Sequence, residues 1–293
     1  MKKSWEDKVE EAEKDVLELI AELKVAYDRE IRYRLEVKHP HDRTKAAVDN
    51  LLRNGKIKKT HLPGRRGPGE WPNKFYRLPN TPYRQLIPIM REKIDLSTFV
   101  AGVAAEMGRY AELVWFQAFK EYGWSTHPMS IEHYGSGINE WRGRKATVKN
   151  DVDFIAVKDG VEYAVEVKNG LAYPDDLYWK IRVAVELNLI PLLIVRWLNP
   201  AQQSLLRKLK IPMVIYKTSI YSIAYEQIVE KIKNTLGYPI EARDKIDQEY
   251  FQRKVEETHR RTIERIDEIR REMETLRKII RKNNTLRKTL GDK

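Results

Sequence analysis

The sequence predicts an α/β protein: a mixed sheet flanked by helices in the middle of the chain, a helix-rich segment before it and one long helix after it. Three observations carry this. Residues 150–218 run strand, strand, helix, strand, helix, strand, with apolar runs set off by turn residues from amphipathic stretches. Residues 4–53 place apolar side chains at helical spacing. Between Pro239 and Gly291 there is neither glycine nor proline, and one apolar stripe recurs in steps of four and three.

Bulk properties narrow the classes. A chain of 293 residues has room for about two domains at ~100–200 residues each. With no cysteine there is no disulfide, thiol nucleophile or Cys-ligated zinc, and the six histidines show no zinc-ligand spacing. No apolar run approaches the ~18 residues of a membrane span. The opening "MKKSWEDKVEEAEKDVLELI" turns acidic after its lysines and lacks a signal-peptide core, which predicts a cytoplasmic protein. A net charge of +12 and a pI near 9.5 favour an acidic partner, nucleic acid foremost. The charge is concentrated: residues 43–84 hold eleven Lys and Arg against two Asp and Glu.

Residues 1–83 form the first segment. A helical pattern covers 4–37 with Val16, Leu17, Ile20, Leu23 and Ala26 on one face. Pro40 ends it, Asp42 stands at a capping position, and Ala46, Ala47, Val48, Leu51 and Leu52 face inward up to the Asn54-Gly55 stop. "KIKKTHLPGRRGPGEWPNKFYRL" then reads as a strand, a basic Gly/Pro-rich turn and a second strand. This order resembles the winged helix-turn-helix DNA-binding fold over residues ~10–80. The resemblance implies a recognition helix at about 42–53 and a wing at about 57–79. Arg43, Thr44, Lys45 and Asn50 would then face the major groove, with Arg65 and Arg66 near phosphates. Trp71, Tyr76 and Tyr83 read as packing residues. Residues 84–98 read as a linker passing into a short helix.

The second segment, 99–240, begins with a helix from about Thr98 to Tyr122, ended by Gly123. After a strand-like "WSTHPMSIEHY" and a loop come "DVDFIAV", the tight turn "KDG" and "VEYAVEV". Alternation puts Glu166 and Lys168 on one face of the second strand, and the turn brings Asp153 or Asp151 towards Glu166 from the first. Two partly buried carboxylates that approach each other repel, and a divalent cation relieves the repulsion; all-oxygen donors suit Mg²⁺ or Mn²⁺. His127 and His133 read as structural residues.

Asp-(x)₁₂-Glu-x-Lys on a hairpin, with a helix before it and a helix and strand after it, resembles the PD-(D/E)xK nuclease superfamily and its restriction-endonuclease-like fold over about residues 99–218. The resemblance implies that Asp153 and Glu166 hold the metal with the carbonyl of Val167. It gives Lys168 the task of orienting or activating the water and stabilising the charge that grows on phosphorus. Glu112 matches an acidic residue that many members carry on the first core helix, and Lys180 a basic residue that some carry on the helix after the motif. Val152 stands where the motif has proline, and Asp151 competes with Asp153 for its role. The implied products are a 5′-phosphate and a 3′-hydroxyl.

The third segment, 241–293, carries the stripe Val255, His259, Thr262, Ile266, Ile269, Met273, Leu276, Ile280 and Asn283. A long helix with one apolar stripe needs a partner, either a second copy, giving a coiled-coil homodimer, or the chain's own N-terminal helix. Together these features predict a metal-dependent DNA endonuclease, dimeric and acting on duplex or branched DNA without a membrane. The rival is a winged-helix DNA-binding regulator or architectural protein without activity. RNA as the substrate is the third reading.

Overall fold

A computed structural model describes residues 4–64, 73–130 and 137–290. Arg65, Arg66, Trp71 and His133 lie outside the described residues. The chain divides into two compact units, 1–105 with 225–241 and 106–224 with 242–293.

The first unit opens with α1 (Trp5–Leu23), capped by Ser4: its hydroxyl accepts the Asp7 N–H at 3.1 Å while the Asp7 carboxylate accepts the Ser4 N–H at 2.9 Å. Val9, Ala12, Val16 and Ile20 form its buried stripe. The expected helix over 4–37 is interrupted. Lys24 takes φ 63°, and β1 (Val25–Tyr27) precedes α2 (Asp28–Leu35). All three residues of β1 are buried, in an element too short to show a period. Then come α3 (His41–Arg53), β2 (Lys58–Thr60) and β3 (Phe75–Arg77). The strands form an antiparallel sheet in the order β1-β3-β2. The helix α4 (Tyr83–Glu121) takes in Pro88 and replaces the expected linker. Leu86, Met90 and Ile94 are buried with Val25 and Phe75, and this apolar face keeps 84–98 helical. Pro40, not Asp42, caps α3; Asp42 sits in its first turn.

A buried charge network ties this unit together. Glu30 is fully buried and its carboxylate lies 2.6 Å from the Lys93 ammonium and 3.2 Å from the Arg34 guanidinium. Lys93 also donates to the Val25 carbonyl at 2.9 Å, and Glu30 accepts the Tyr27 N–H at 3.0 Å. Every charge is compensated, as burial demands.

The second unit is built on a five-stranded mixed sheet. In chain order it contains β4 (Ser125–His127), the small hairpin β5 (Glu140–Trp141) and β6 (Arg144–Lys145), β7 (Phe154–Lys158), β8 (Val161–Leu171), α5 (Pro174–Leu187), β9 (Ile190–Trp197), α6 (Pro200–Lys208), β10 (Met213–Ile215) and β11 (Ser219–Tyr221). The helix α7 (Glu226–Leu236) belongs to the first unit. The sheet order is β10-β9-β8-β7-β4, with β8, β9 and β10 parallel and β8, β7 and β4 antiparallel. Asp159 (φ 49°) and Gly160 (φ 71°) make the two-residue turn between β7 and β8 that the "KDG" signature predicts. The central strands are apolar on both sides, as expected where helices cover both faces.

The C-terminal segment folds onto this unit as α8 (Gln248–Phe251), a π-helical turn over 252–256, α9 (Glu257–Glu264) and α10 (Ile266–Leu290). Val255, Ile269, Met273 and Ile280 of the stripe are buried in the same core as Phe119, Phe154 and Leu192. The seam is therefore covered within its own unit and supplies no ground for pairing two copies. His259 of that stripe is buried and bridges two groups. Its Nδ1 lies 2.9 Å from the Tyr163 hydroxyl and its Nε2 3.0 Å from the Asp159 carboxylate, tying α9 to the β7–β8 turn.

Candidate active site

The hairpin register places the chemistry. Phe154 pairs with Val165, so the next residues outward, Asp153 and Glu166, come opposite each other where the hairpin opens. There the ladder changes partners. The Asp153 N–H donates to the Val165 carbonyl at 3.0 Å, and the Asp153 carboxylate accepts the Val167 N–H at 2.6 Å. A side chain thus occupies an acceptor position on the strand that carries Glu166. Two residues on from Glu166, Lys168 shares its face of β8.

Glu166 is 1% exposed. The Lys168 ammonium lies 2.8 Å from one of its oxygens and the Lys180 ammonium, reaching in from α5, 3.1 Å from the other. Lys180 also donates to Asp151 at 3.0 Å. Both Glu166 oxygens are buried, and each is held by one of the two ammoniums.

The electrostatics agree with this crowding. Burial pushes the Asp153 carboxyl well above its ordinary value, and the Glu166 and Glu112 charges push it further; the Val167 N–H and Lys180 act against them. Glu166 is raised by burial, against the attraction of Lys180 and Lys168. For Lys168, burial opposes the charged form, but the neighbouring Glu166 outweighs it and the net shift is upward. Lys180 is likewise raised despite burial, through Glu166, Asp153 and Asp151. Glu112, half-buried on α4, is thus near enough to act on Asp153. The carboxylate charges raise the Asp153 pKa, and a cation between the carboxylates would relieve that repulsion, as Lys180 and Lys168 already do in part.

The residues expected from the sequence fall into place unequally. Asp153, Glu166, Lys168, Lys180 and Glu112 come together. Asp151 is engaged by Lys180 and is half-exposed, and Gly137 packs so closely that a Cβ there would stand 2.1 Å from the Asp151 Cγ. Val167 is buried directly behind Asp153. Among the described residues, no group of three or more His, Cys, Asp or Glu side chains is drawn together tightly enough to ligate one ion. The donor set offered is two carboxylates and a backbone carbonyl. That suits Mg²⁺, which takes one or two carboxylates and completes its shell with water and phosphate oxygens. Asp153 and Glu166, buried carboxylates whose charges repel each other, fit such an ion.

On α3, Lys45 is exposed and Arg43 half-buried. Thr44 is fully buried and its hydroxyl donates to the Pro40 carbonyl at 3.3 Å, so it supports the helix and presents nothing to a groove. Asn50 donates to Glu13 of α1 at 2.8 Å and is committed to packing α3 on α1. Tyr76 is buried with its hydroxyl on Asp28, and Tyr83 donates to the His61 carbonyl, both as packing residues. The exposed His127 stacks its ring near Trp141.

Asn169 is a residue that sequence reasoning missed. Its amide donates to the carbonyls of Met107 (2.9 Å) and Ile220 (2.7 Å), and its side-chain oxygen accepts from the Ile220 N–H (2.6 Å) and the Tyr216 hydroxyl (3.0 Å). The same hydroxyl lies 3.1 Å from the Lys168 carbonyl, so its one proton is shared between these two oxygens. These bonds hold the backbone next to Lys168 where the β8–β9 register shifts. In sequence, Asn169-Gly170 reads as a turn, which hid this role.

No protein-family model matches the chain, and no curated protein sequence matches it.

Proposed function

We propose that the chain is a metal-dependent deoxyribonuclease of the PD-(D/E)xK kind, hydrolysing phosphodiester bonds in DNA. One observation carries the reading: the buried Glu166 lies beside Asp153 at the open end of a hairpin, close enough for the two charges to act on each other, with a lysine ammonium on each Glu166 oxygen. An isolated surface ion pair would need no such burial.

Asp153, Glu166 and the Val167 carbonyl would hold the ion, with Glu112 beside them. When bound, Mg²⁺ or Mn²⁺ supplies positive charge at the scissile phosphate and lowers the pKa of the attacking water. Lys168 contributes a fixed charge and a donor where negative charge develops on the phosphoryl oxygens. Lys180 balances Glu166 and Asp151, which keeps the Glu166 carboxylate ionised and oriented in a buried place. Asn169 and Tyr216 hold the Lys168 backbone in register. In-line attack by water then breaks the bond to the 3′ oxygen and leaves a 5′-phosphate.

For DNA as the substrate the supports are the net charge of +12 and the first unit. Its order of helix, strand, two helices and two strands, with a β1-β3-β2 sheet, is compatible with the winged helix that the sequence resembles and supports this reading. Arg43 and Lys45 of α3 would meet the duplex.

Incubation of supercoiled plasmid, linear duplex and four-way junctions with Mg²⁺ or Mn²⁺ tests this. Cleavage is expected, abolished by Asp153→Ala and reduced about 10²–10³-fold by Lys168→Ala, the usual effect of losing one transition-state donor. Intact substrates with the wild type, or variants as fast as the wild type, overturn it.

A further inference from the structure

Away from the carboxylates, the second unit carries two cavities that share Arg277. One, of about 600 Å³, has an apolar floor including Val161, Leu189 and Met273, rimmed by Arg142, Arg270 and Arg277. The other, of about 350 Å³, is lined by Arg144, Lys145, Glu186, Arg277 and Arg281. Together they form a trough between the β5–β6 hairpin and α10.

The trough is built and held. Arg142 (φ 46°) and Gly143 (φ 74°) make the left-handed two-residue turn of the hairpin and point its basic residues outward. The Trp141 indole donates to Glu162 of β8 at 3.3 Å, and the Arg142 guanidinium pairs with the same carboxylate at 2.6 Å. Across from it, Arg277 donates to the Val185 carbonyl at 3.3 Å and to the Asn188 side chain, and it pairs with Glu274 at 2.5 Å. Glu186 pairs with Arg182 at 2.9 Å. The three carboxylates of the trough are thus taken, and they fix the cations that they pair with. Arg144, Lys145 and Arg270 are exposed and have no ion pair among the described residues.

We infer that this trough binds the phosphate backbone of the nucleic acid substrate, beyond the scissile bond. The inference rests on the proposed function for the identity of the polyanion. Its place supports it. Glu162 at the trough and Glu166 at the carboxylate site are four residues apart on one face of β8, about 13 Å. Lys180 at the site and Asn188 at the trough are eight residues apart along α5 and its cap, about 12 Å. The trough is thus about 13 Å from the carboxylate site, beyond the stretch of β8 that α5 covers, so it would meet a flanking part of the polymer and not the reacting phosphate. Three unpaired cations on a rigid rim suit a repeating anion, whereas small-molecule sites are lined mostly by apolar and aromatic groups.

The test is the salt dependence of duplex binding without divalent ions. The triple variant Arg144→Ala, Lys145→Ala, Arg270→Ala is compared with the wild type between about 50 and 200 mM salt. Three lost phosphate contacts lower the magnitude of the log–log slope by about 2.7 and weaken binding about 10²–10³-fold at ~0.1 M salt. A control that removes the same charge elsewhere, Lys120→Ala, Arg207→Ala, Lys208→Ala, leaves most of the slope in place. All six side chains are exposed, and thermal melting confirms that both variants are folded. An unchanged slope in the first triple variant, or an equal loss in the control, overturns the trough. Cleavage is scored separately. A wild type that binds with the predicted slope but cuts nothing sinks the nuclease and leaves the trough; one that cuts with a slope indifferent to the triple variant does the reverse.

Discussion

Replacing Asp153 with asparagine should stabilise the metal-free protein at neutral pH. Asp153 lies one residue beyond the last pair of the β7–β8 ladder, beside Glu166, and neighbouring residues on an antiparallel pair hold their Cβ atoms about 5 Å apart. At an effective dielectric of ~20, two unit charges at that distance repel by about 3 kcal/mol. Lys168 and Lys180 offset part of this, and burial adds to it. Asparagine keeps an oxygen for the Val167 N–H that Asp153 now accepts at 2.6 Å, so the ladder survives while the charge goes. A net gain of about 1–3 kcal/mol is expected at pH 7. The pH dependence fixes the cause. Asp153 has a raised native pKa, so over the window from the unfolded value near 4 up to the native one the folded state holds a proton that the unfolded chain has lost. Wild-type stability then falls as pH rises, by at most about 1.4 kcal/mol per pH unit from this group, and the advantage of Asp153→Asn grows in step. Urea unfolding of both proteins in EDTA across pH 4–8 reads the difference, with groups common to both cancelling. Mg²⁺ should narrow or reverse the gap, since an ion at a hundredfold excess over its Kd adds about 2.7 kcal/mol to the form that binds it. A variant that is less stable at every pH, or a gap that does not widen with pH, would refute the reasoning.

Other substitutions probe the remaining links. Lys180→Met removes one of the two ammoniums on Glu166 and should cost about 1–3 kcal/mol, much of which returns when Glu166→Gln is added; additive losses in this double-mutant cycle would deny the pairing. His259→Ala leaves the buried Tyr163 hydroxyl without its 2.9 Å partner and should cost about 1–3 kcal/mol, with faster amide exchange in α9; unchanged exchange would contradict the clasp. Lys93→Met takes the nearer of two cations from Glu30, leaving Arg34 at 3.2 Å, and should destabilise the first unit by about 1–3 kcal/mol, less when Glu30→Gln is added; a silent Lys93→Met would mean that the buried pair is not formed.

The hairpin of the candidate site was legible in the sequence because its signals are local. A two-residue turn fixes register, register fixes which residues oppose each other, and alternation fixes their faces; so Glu166 and Lys168 with either Asp153 or Asp151 followed from spacing, and the resemblance favoured Asp153. Lys180 and Glu112 depended on the resemblance, since nothing in a helical pattern says which strand it will cover. Elements without a period of their own escaped. The strand β1 is three residues between two strong helices, and Pro88 together with the preceding turn residues disguised the first part of α4. The C-terminal stripe showed that a partner exists but not which one, because a heptad seam packs as well on its own unit as on a second copy. Thr44 and Asn50 were misjudged for a similar reason: polar type does not reveal that one is buried and the other is held by Glu13. The trough joins residues 142–145 to residues 270–281, and no local pattern connects segments so far apart in the chain.

The central claim is that the buried carboxylates exist to receive a divalent cation. Calorimetric titration with Mn²⁺ tests it most directly, on the wild type, Asp153→Asn and Glu166→Gln. One saturable binding event in the wild type, lost or weakened about tenfold or more in each variant, is the predicted result. Binding that is absent from the wild type, or equal in all three proteins, would contradict the account.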